Sequence, residues 1–206
     1  MNNGAMGNES HISKTGDTRQ QILDTAKSII LGKGFAAVGL NEILTTTGVP
    51  KGSFYHYFKS KEQFGVAMLE SYFEDYLARL DDSLADDGRS ASERLTTYFQ
   101  NWLDSQCSET TRDKCLVVKL SAEVTDLSEA MRISLKNGTD KVIARLAALL
   151  EEGRANGEFP KTMDTQSVTC EIYYMWIGAT LLTKVQRNRD ALEMAMRASR
   201  LKLGLN

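Results

Sequence analysis

Proline occurs twice in 206 residues, histidine twice, and the three cysteines, Cys107, Cys115 and Cys170, have no CxxC spacing. Each scarcity removes a class of protein. So few prolines, with 15 glycines as punctuation, fit long helices joined by short turns and predict few strands. An odd number of unpaired cysteines argues against both a secreted disulfide framework and a thiolate zinc site. His11 and His56 stand in neither an HExxH nor a finger-like arrangement, so no metal is expected. The longest mostly apolar stretch, Ile172 to Leu182, falls far short of the roughly 20 residues of a membrane helix, and no N-terminal segment has an apolar signal core. The expectation is a cytoplasmic protein with no membrane partner.

What remains describes a globular chain. Hydrophobic residues make up 42% and charged residues 25%. A protein of this size buries about 70% of its extended surface and needs no staple. The net charge of -2 averages two unlike parts. Residues 1–61 carry seven basic and four acidic side chains, whereas the other 145 carry 18 and 23. A mildly basic N-terminal module on an acidic body suits local contact with phosphates once a motif supports it. Gly32-Lys33-Gly34-Phe35-Ala36-Ala37 meets the loose GxGxxA pattern but follows a helix instead of a strand, so no dinucleotide or other cofactor is expected.

Periodicity predicts an all-α fold. Residues 1–16 read as a disordered leader, 17–62 as a three-helix helix-turn-helix module and 63–206 as a larger helical body. Asp17 or Thr18 can cap a first helix burying Ile22, Leu23, Ala26, Ile29 and Ile30. A short helix from Asn41 to Thr47, the Gly48-Val49-Pro50 turn and a third helix from Lys51 follow, with Pro50 suited to a first helical turn. Ser60 or Lys61 begins a long helix that reaches from the module into the body. Further amphipathic stretches are Ala91–Cys107, Leu116–Val124 continuing over Leu127–Leu135, and Val142–Glu152. The terminal pair, from Val168 and after the polar turn at Gln186–Asp190, is apolar around so much of its circumference that it is buried on two sides, inside the domain or against a second subunit.

The run from Arg19 to Phe64 resembles the TetR/AcrR family of transcriptional regulators. The resemblance rests on Gly34-Phe35, Leu40 with Ile43, Gly48-Val49, Lys51-Gly52-Ser53, Phe54-Tyr55-His56-Tyr57-Phe58 and Ser60-Lys61-Glu62. It implies an all-helical homodimer binding a double-stranded operator, with a C-terminal domain that binds an effector and dimerises. In the family pattern Thr47, Lys51, Ser53, Tyr55, His56 and Lys61 face DNA, while Ala26, Phe54 and Phe58 hold the helices together. Physically, such short donors, aromatics and lysines suit a groove about 12 Å wide flanked by phosphates. His56 alone also fits an ordinary surface histidine, and Tyr57 fits phosphate contact or packing.

The body is similar to the NemR-like branch of that family through Cys115-Leu116-Val117-Val118-Lys119-Leu120-Ser121-Ala122-Glu123-Val124, Asp126-Leu127-Ser128-Glu129, and Trp176-Ile177-Gly178-Ala179 with Lys184. Members of the branch repress genes for detoxifying reductases and sense electrophiles or oxidants through cysteine. By that resemblance Cys115 is the sensing thiol and Lys184 its basic partner. Arg112, Lys114 and Lys119 lie close in sequence and favour a thiolate open to alkylation or oxidation. A small buried hydrophobe is the other reading of Cys115, and core packing the reading of Cys170. A noncovalent ligand in a cavity lined by Phe99, Trp102, Met131, Tyr173, Tyr174, Met175 and Trp176 is the alternative trigger. No convergent carboxylate pair or histidine base appears among them, so no enzyme is expected.

Overall fold

A computed structural model describes the backbone of residues 9–107 and 115–205, with side chains from Thr18 onward. These residues form nine helices and no strand, as expected of an all-α chain. The first helix, α1 (Glu9–Lys33), begins well before the anticipated cap at Asp17 or Thr18. Residues 9–16, read from sequence as part of a disordered leader, are therefore helical. Extending a helix already held by Ile22, Leu23, Ala26 and Ile30 needs only one further hydrogen bond per residue, and no proline intervenes. Residues 1–8 lie outside the described residues.

The module is completed by α2 (Leu40–Thr47) and α3 (Lys51–Tyr57). Gly48 ends α2 at φ 67°, a left-handed conformation suited to glycine, and its N–H bonds the Leu44 carbonyl. Pro50 sits just outside α3 as its N-cap, one residue short of the expected first turn. Phe54 and Phe58 are buried with Phe64, their ring centroids 5.2, 5.6 and 5.3 Å apart, so the packing role expected of them holds.

The long helix α4 (Lys61–Leu84) is capped by Ser60, whose Oγ accepts from the Gln63 N–H at 3.0 Å. Phe64 closes the module core, and Tyr72, Phe73, Leu77 and Leu80 belong to the body. The body continues through α5 (Ala91–Cys107), α6 (Leu116–Leu127), α7 (Glu129–Ala155), α8 (Thr165–Gln186) and α9 (Asp190–Leu203). Buried Arg94 on α5 donates to the Leu84 carbonyl at 2.8 Å and pairs with Glu152 of α7, fastening the ends of three helices.

Two boundaries depart from the periodicity. Leu127–Leu135 does not continue α6, because Ser128 leaves the helical region at φ −155° and caps α7 by accepting from the Met131 N–H at 3.2 Å. The expected separate helix at Val142–Glu152 is the second half of α7, whose polar stretch around Gly138 hides its continuity. There α7 crosses α4 so closely that a Cβ on Gly138 would collide with the Phe73 ring. Gly138→Ala is expected to cost about 1–3 kcal/mol by overpacking, with part of the loss recovered in Gly138→Ala/Phe73→Leu. Denaturant unfolding checks this, and an unchanged midpoint for the single variant contradicts the close crossing.

Candidate functional site

The outer face of the module carries the DNA-contact candidates. Lys51, Tyr55 and His56 are exposed on α3, Ser53 is half-buried there, and Gly52 has open space where a Cβ would stand. Thr47, at the end of α2, is half-buried and donates its hydroxyl to the Ile43 carbonyl at 2.8 Å. These five lie on α3 and the end of α2. Lys61 is placed differently: its ammonium donates to the Phe35 carbonyl at 2.9 Å and sits 4.7 Å from the Phe35 ring centroid. Burial lowers its pKa, and the nearby Glu123 carboxylate acts in the opposite direction.

That lysine belongs to a junction between module and body. Glu123, on α6, accepts from the backbone N–H groups of Phe35, at 3.1 Å, and Ala36. Gly34 takes φ 97°, and a Cβ there would lie 2.9 Å from the Glu123 carboxylate. Lys119, one turn earlier on α6, reaches the Gly32 carbonyl at 3.5 Å. Ser128 donates to Glu62 of α4 at 2.5 Å. The turn after α1 is thus gripped mainly by α6.

Cys115 lies at the opposite end of α6, as its N-cap residue. Its N–H donates to Gln106 Oε1 at 3.2 Å, and its side chain borders a cavity of about 150 Å³ lined also by Tyr72, Phe73, Tyr76, Arg79, Trp102 and Tyr173. Burial pushes the Cys115 thiol up. The N–H groups of Val118 and Val117 at the start of α6, the Lys184 charge and the Tyr72 hydroxyl partly oppose that rise. Lys119, expected from sequence to favour the thiolate, is directed toward Gly32 instead. Arg112 and Lys114 lie outside the described residues. Lys184 is exposed on α8, beside a recess shared with Gln106, Cys107 and Thr183, so Gln106 borders both spaces.

Of the aromatic and methionine candidates, Trp102 and Tyr173 line this cavity. Phe99 and Trp176 instead stack on each other in the core at 4.7 Å, and the Trp176 indole donates to Ser199 at 2.9 Å. Met131 is fully buried against the position of Gly65, and Met175 is a half-buried part of the same core. Tyr174 is 63% exposed on the outside. Neighbouring residues on a helix differ by about 100° in direction, so Tyr173 can face inward while Tyr174 and Met175 do not. Cys170 is half-buried against the core, 3.6 Å from the Gln166 amide nitrogen, and Cys107 is exposed.

The sequence reading missed Tyr72, Tyr76, Arg79 and Gln106. Tyr72, Tyr76 and Arg79 share one side of α4 at spacings of four and three, but tyrosines in such a pattern read as ordinary core. Tyr76 and Tyr98 hydroxyls are 2.8 Å apart. Burial raises the Tyr72, Tyr76, Tyr98 and Tyr173 phenols above their ordinary range, so all four remain protonated donors at neutral pH. Among the described residues no group of histidine, cysteine and carboxylate side chains could hold a metal ion, and no helix is long and apolar enough to cross a membrane.

A helix-turn-helix module joined through one shared helix to a body with an internal cavity defines a DNA-binding regulator with separate reading and signal-receiving halves. Residues 22–68 match the family of bacterial regulatory proteins named for tetR, and residues 91–199 match the tetracyclin repressor-like C-terminal domain. The chain is 43% identical over 180 residues to the HTH-type transcriptional repressor NemR of Escherichia coli, covering 87% of this chain and 90% of that protein. It is 33% identical over 174 residues to the transcriptional regulator AcuR of Cereibacter sphaeroides, covering 84% and 79%. The crystal structure of reduced E. coli NemR superposes with a TM-score of 0.84 at 42% identity, covering 89% of this chain and 95% of that one. The chain belongs to the TetR family of transcriptional repressors, proteins that are not enzymes.

The different placement of the two lysines sets a test on operator DNA. Lys51→Ala is expected to weaken binding and reduce the salt-dependence slope by about one, as for loss of a phosphate contact. Lys61→Ala is expected to lower the melting temperature as well, because its ammonium ties α4 to Phe35. Binding titrations at several salt concentrations and thermal unfolding check both. Equal salt slopes for wild type and Lys51→Ala contradict the phosphate role.

Proposed function

We propose that the chain is a homodimeric repressor of detoxification reductase genes that leaves a palindromic operator when an electrophile or oxidant modifies Cys115. The observation that carries this reading is the position of α6. Cys115 begins the helix beside the cavity, and Glu123 near its other end holds the turn after α1. Adding atoms to Cys115 displaces the start of α6 and alters the grip on the DNA-binding module. In the proposed assembly two α3 helices enter major grooves about 34 Å apart, so a modest change in their separation breaks the fit. Thr47, Lys51, Ser53, Tyr55 and His56 contact the operator, and Lys61 supports this face from the junction.

The dimer reading is supported by an apolar stripe on the terminal pair. Tyr174, Leu181, Leu182 and Val185 of α8 are exposed with Met194 and Leu201 of α9, and Gly178 within the stripe has nothing within 4 Å of its Cβ position. Side chains at spacings of seven, eight and eleven form one helix face that association would remove from water. Lys184 serves in the proposal as the cation that lowers the energetic penalty of ionising Cys115.

The raised pKa favours a second reading, a noncovalent ligand in the tyrosine-lined cavity, because little thiolate is present at neutral pH. DNA binding by reduced protein, titrated with crotonaldehyde or hypochlorite, separates the two. Wild type is expected to lose about 5- to 150-fold in operator affinity, the usual range of allosteric coupling, while Cys115→Ser keeps its affinity. Release persisting in Cys115→Ser contradicts thiol sensing and supports a noncovalent trigger. Because the folded-state thiol pKa is raised, the Cys115 alkylation rate is expected to keep climbing at pH 9. A plateau near pH 8 contradicts that environment.

A further inference from the structure

A second recess lies where the end of α5 meets the turn between α8 and α9. It measures about 610 Å³, within the roughly 300–1,000 Å³ of small-molecule sites. Unlike the tyrosine-lined cavity, it is walled by amides and charges, from Gln106, Thr183, Lys184, Arg187, Asn188 and Arg189. Three cations there stand with one carboxylate, that of Asp190. Arg189 is held by Glu193 at 2.9 Å, whereas Arg187 forms no ion pair among the described residues. Arg187 closes α8 at φ 56°, its N–H bonding the Thr183 carbonyl at 2.9 Å. Thr183 gives the independent sign of a ligand. It is 8% exposed, and its buried hydroxyl has no hydrogen-bond partner among the described residues. Thr169 and Thr180 on the same helix satisfy theirs on the carbonyls four residues back, at 2.6 and 2.8 Å. Buried polar groups are nearly always paired, so an unpaired hydroxyl beside two cations is a donor set that lacks its acceptor. At about 100° per residue, Thr183 lies on the side of α8 opposite Tyr174, Leu181 and Val185, so the recess and the proposed dimer face are separate.

We propose that this recess is a noncovalent binding site for a small organic anion, held by its phosphate or carboxylate groups. Arg187 and Lys184 supply the charge, the Thr183 hydroxyl donates to an anion oxygen, and the Gln106 and Asn188 amides contact the remainder. Charge-assisted hydrogen bonds of this kind are about twice as strong as neutral ones. The anion is a second effector, distinct from any reagent at the thiol. Gln106 Oε1 accepts from the Cys115 N–H at 3.2 Å where α6 begins, so drawing the Gln106 side chain to the ligand alters the start of that helix without a bond to sulfur. The consequence for DNA binding rests on the α6 relay proposed above, whereas the binding itself does not. By linkage, the anion shifts operator affinity only as far as it prefers one of the two conformations.

Calorimetric titration of the reduced full-length protein with inorganic pyrophosphate and, separately, with citrate at constant ionic strength tests the site. Binding of pyrophosphate alone upholds it as a phosphate site, and binding of citrate alone as a carboxylate site. Arg187→Gly, which suits the left-handed turn, is expected to weaken that binding by about 10-fold or more. Thr183→Val, which keeps the shape and removes the hydroxyl, is expected to weaken it by about 5-fold and stands in if Arg187→Gly fails to fold. Lys51→Ala leaves it unchanged. No binding of either anion to wild type, or equal binding by wild type and both recess variants, overturns the site. A reduced salt slope for operator binding by Arg187→Gly, with both anions silent, assigns this arginine to DNA phosphate instead and also overturns the site. Operator affinity is then measured with the bound anion present. An equal shift in wild type and Cys115→Ser that is absent from Arg187→Gly supports the effector role independently of thiol sensing. Anion binding with unchanged operator affinity upholds the site and overturns that role.

Discussion

The Glu123 carboxylate, set against two backbone N–H groups of the turn after α1, is the contact through which the body fixes the pose of the DNA-binding module. Glycine at position 34 leaves space for the carboxylate, and Lys61 holds the same turn by the Phe35 carbonyl and ring. Hydrogen bonds to a charged group contribute about 1.5–3 kcal/mol each, the same range as typical allosteric coupling energies. A junction of that strength is firm enough to hold one pose and weak enough for an event elsewhere to change it. Twelve residues of α6 extend about 18 Å, so a rigid displacement at Cys115 reaches Glu123 without any change in the helix itself.

At Cys115 burial and the local charges act in opposite directions on the thiol. Desolvation works against the thiolate, while the first turn of α6, Lys184 and Tyr72 work for it, and burial prevails. A sulfur in that setting reacts slowly with most reagents in water. The tyrosine hydroxyls around the same cavity remain protonated because they too are buried. The other two cysteines are an exposed Cys107 and a half-buried Cys170.

Much of this organisation is legible in the residues. The Gly48 turn and the Phe54 and Phe58 core follow from local chemistry, and the structure places them as expected, while the long helix starts at Lys61, the second of its two expected first residues, with Ser60 as its cap. The cavity is a different matter. Tyr72, Tyr76, Phe99 and Trp176 all look like core in a helical pattern, and only the packing of α4, α5, α6 and α8 decides which of them border empty space. Gly138 carries the converse lesson, since a polar, glycine-containing stretch reads as a break until the close crossing with Phe73 explains it. Glu123 was part of a recognised run, yet its partners, 87 and 88 residues away in the chain, have no local signature.

The central claim is that a change at Cys115 travels along α6 to the recognition helices. Its most direct measurement is the distance between nitroxides introduced as an unnatural amino acid at Lys59, just beyond α3, in the dimer before and after crotonaldehyde. The account predicts a shifted distance distribution in modified wild type. It predicts none in Cys115→Ser, and a reduced shift in Glu123→Gln whose Cys115 is equally modified. An unchanged distribution in fully modified wild-type protein would contradict it.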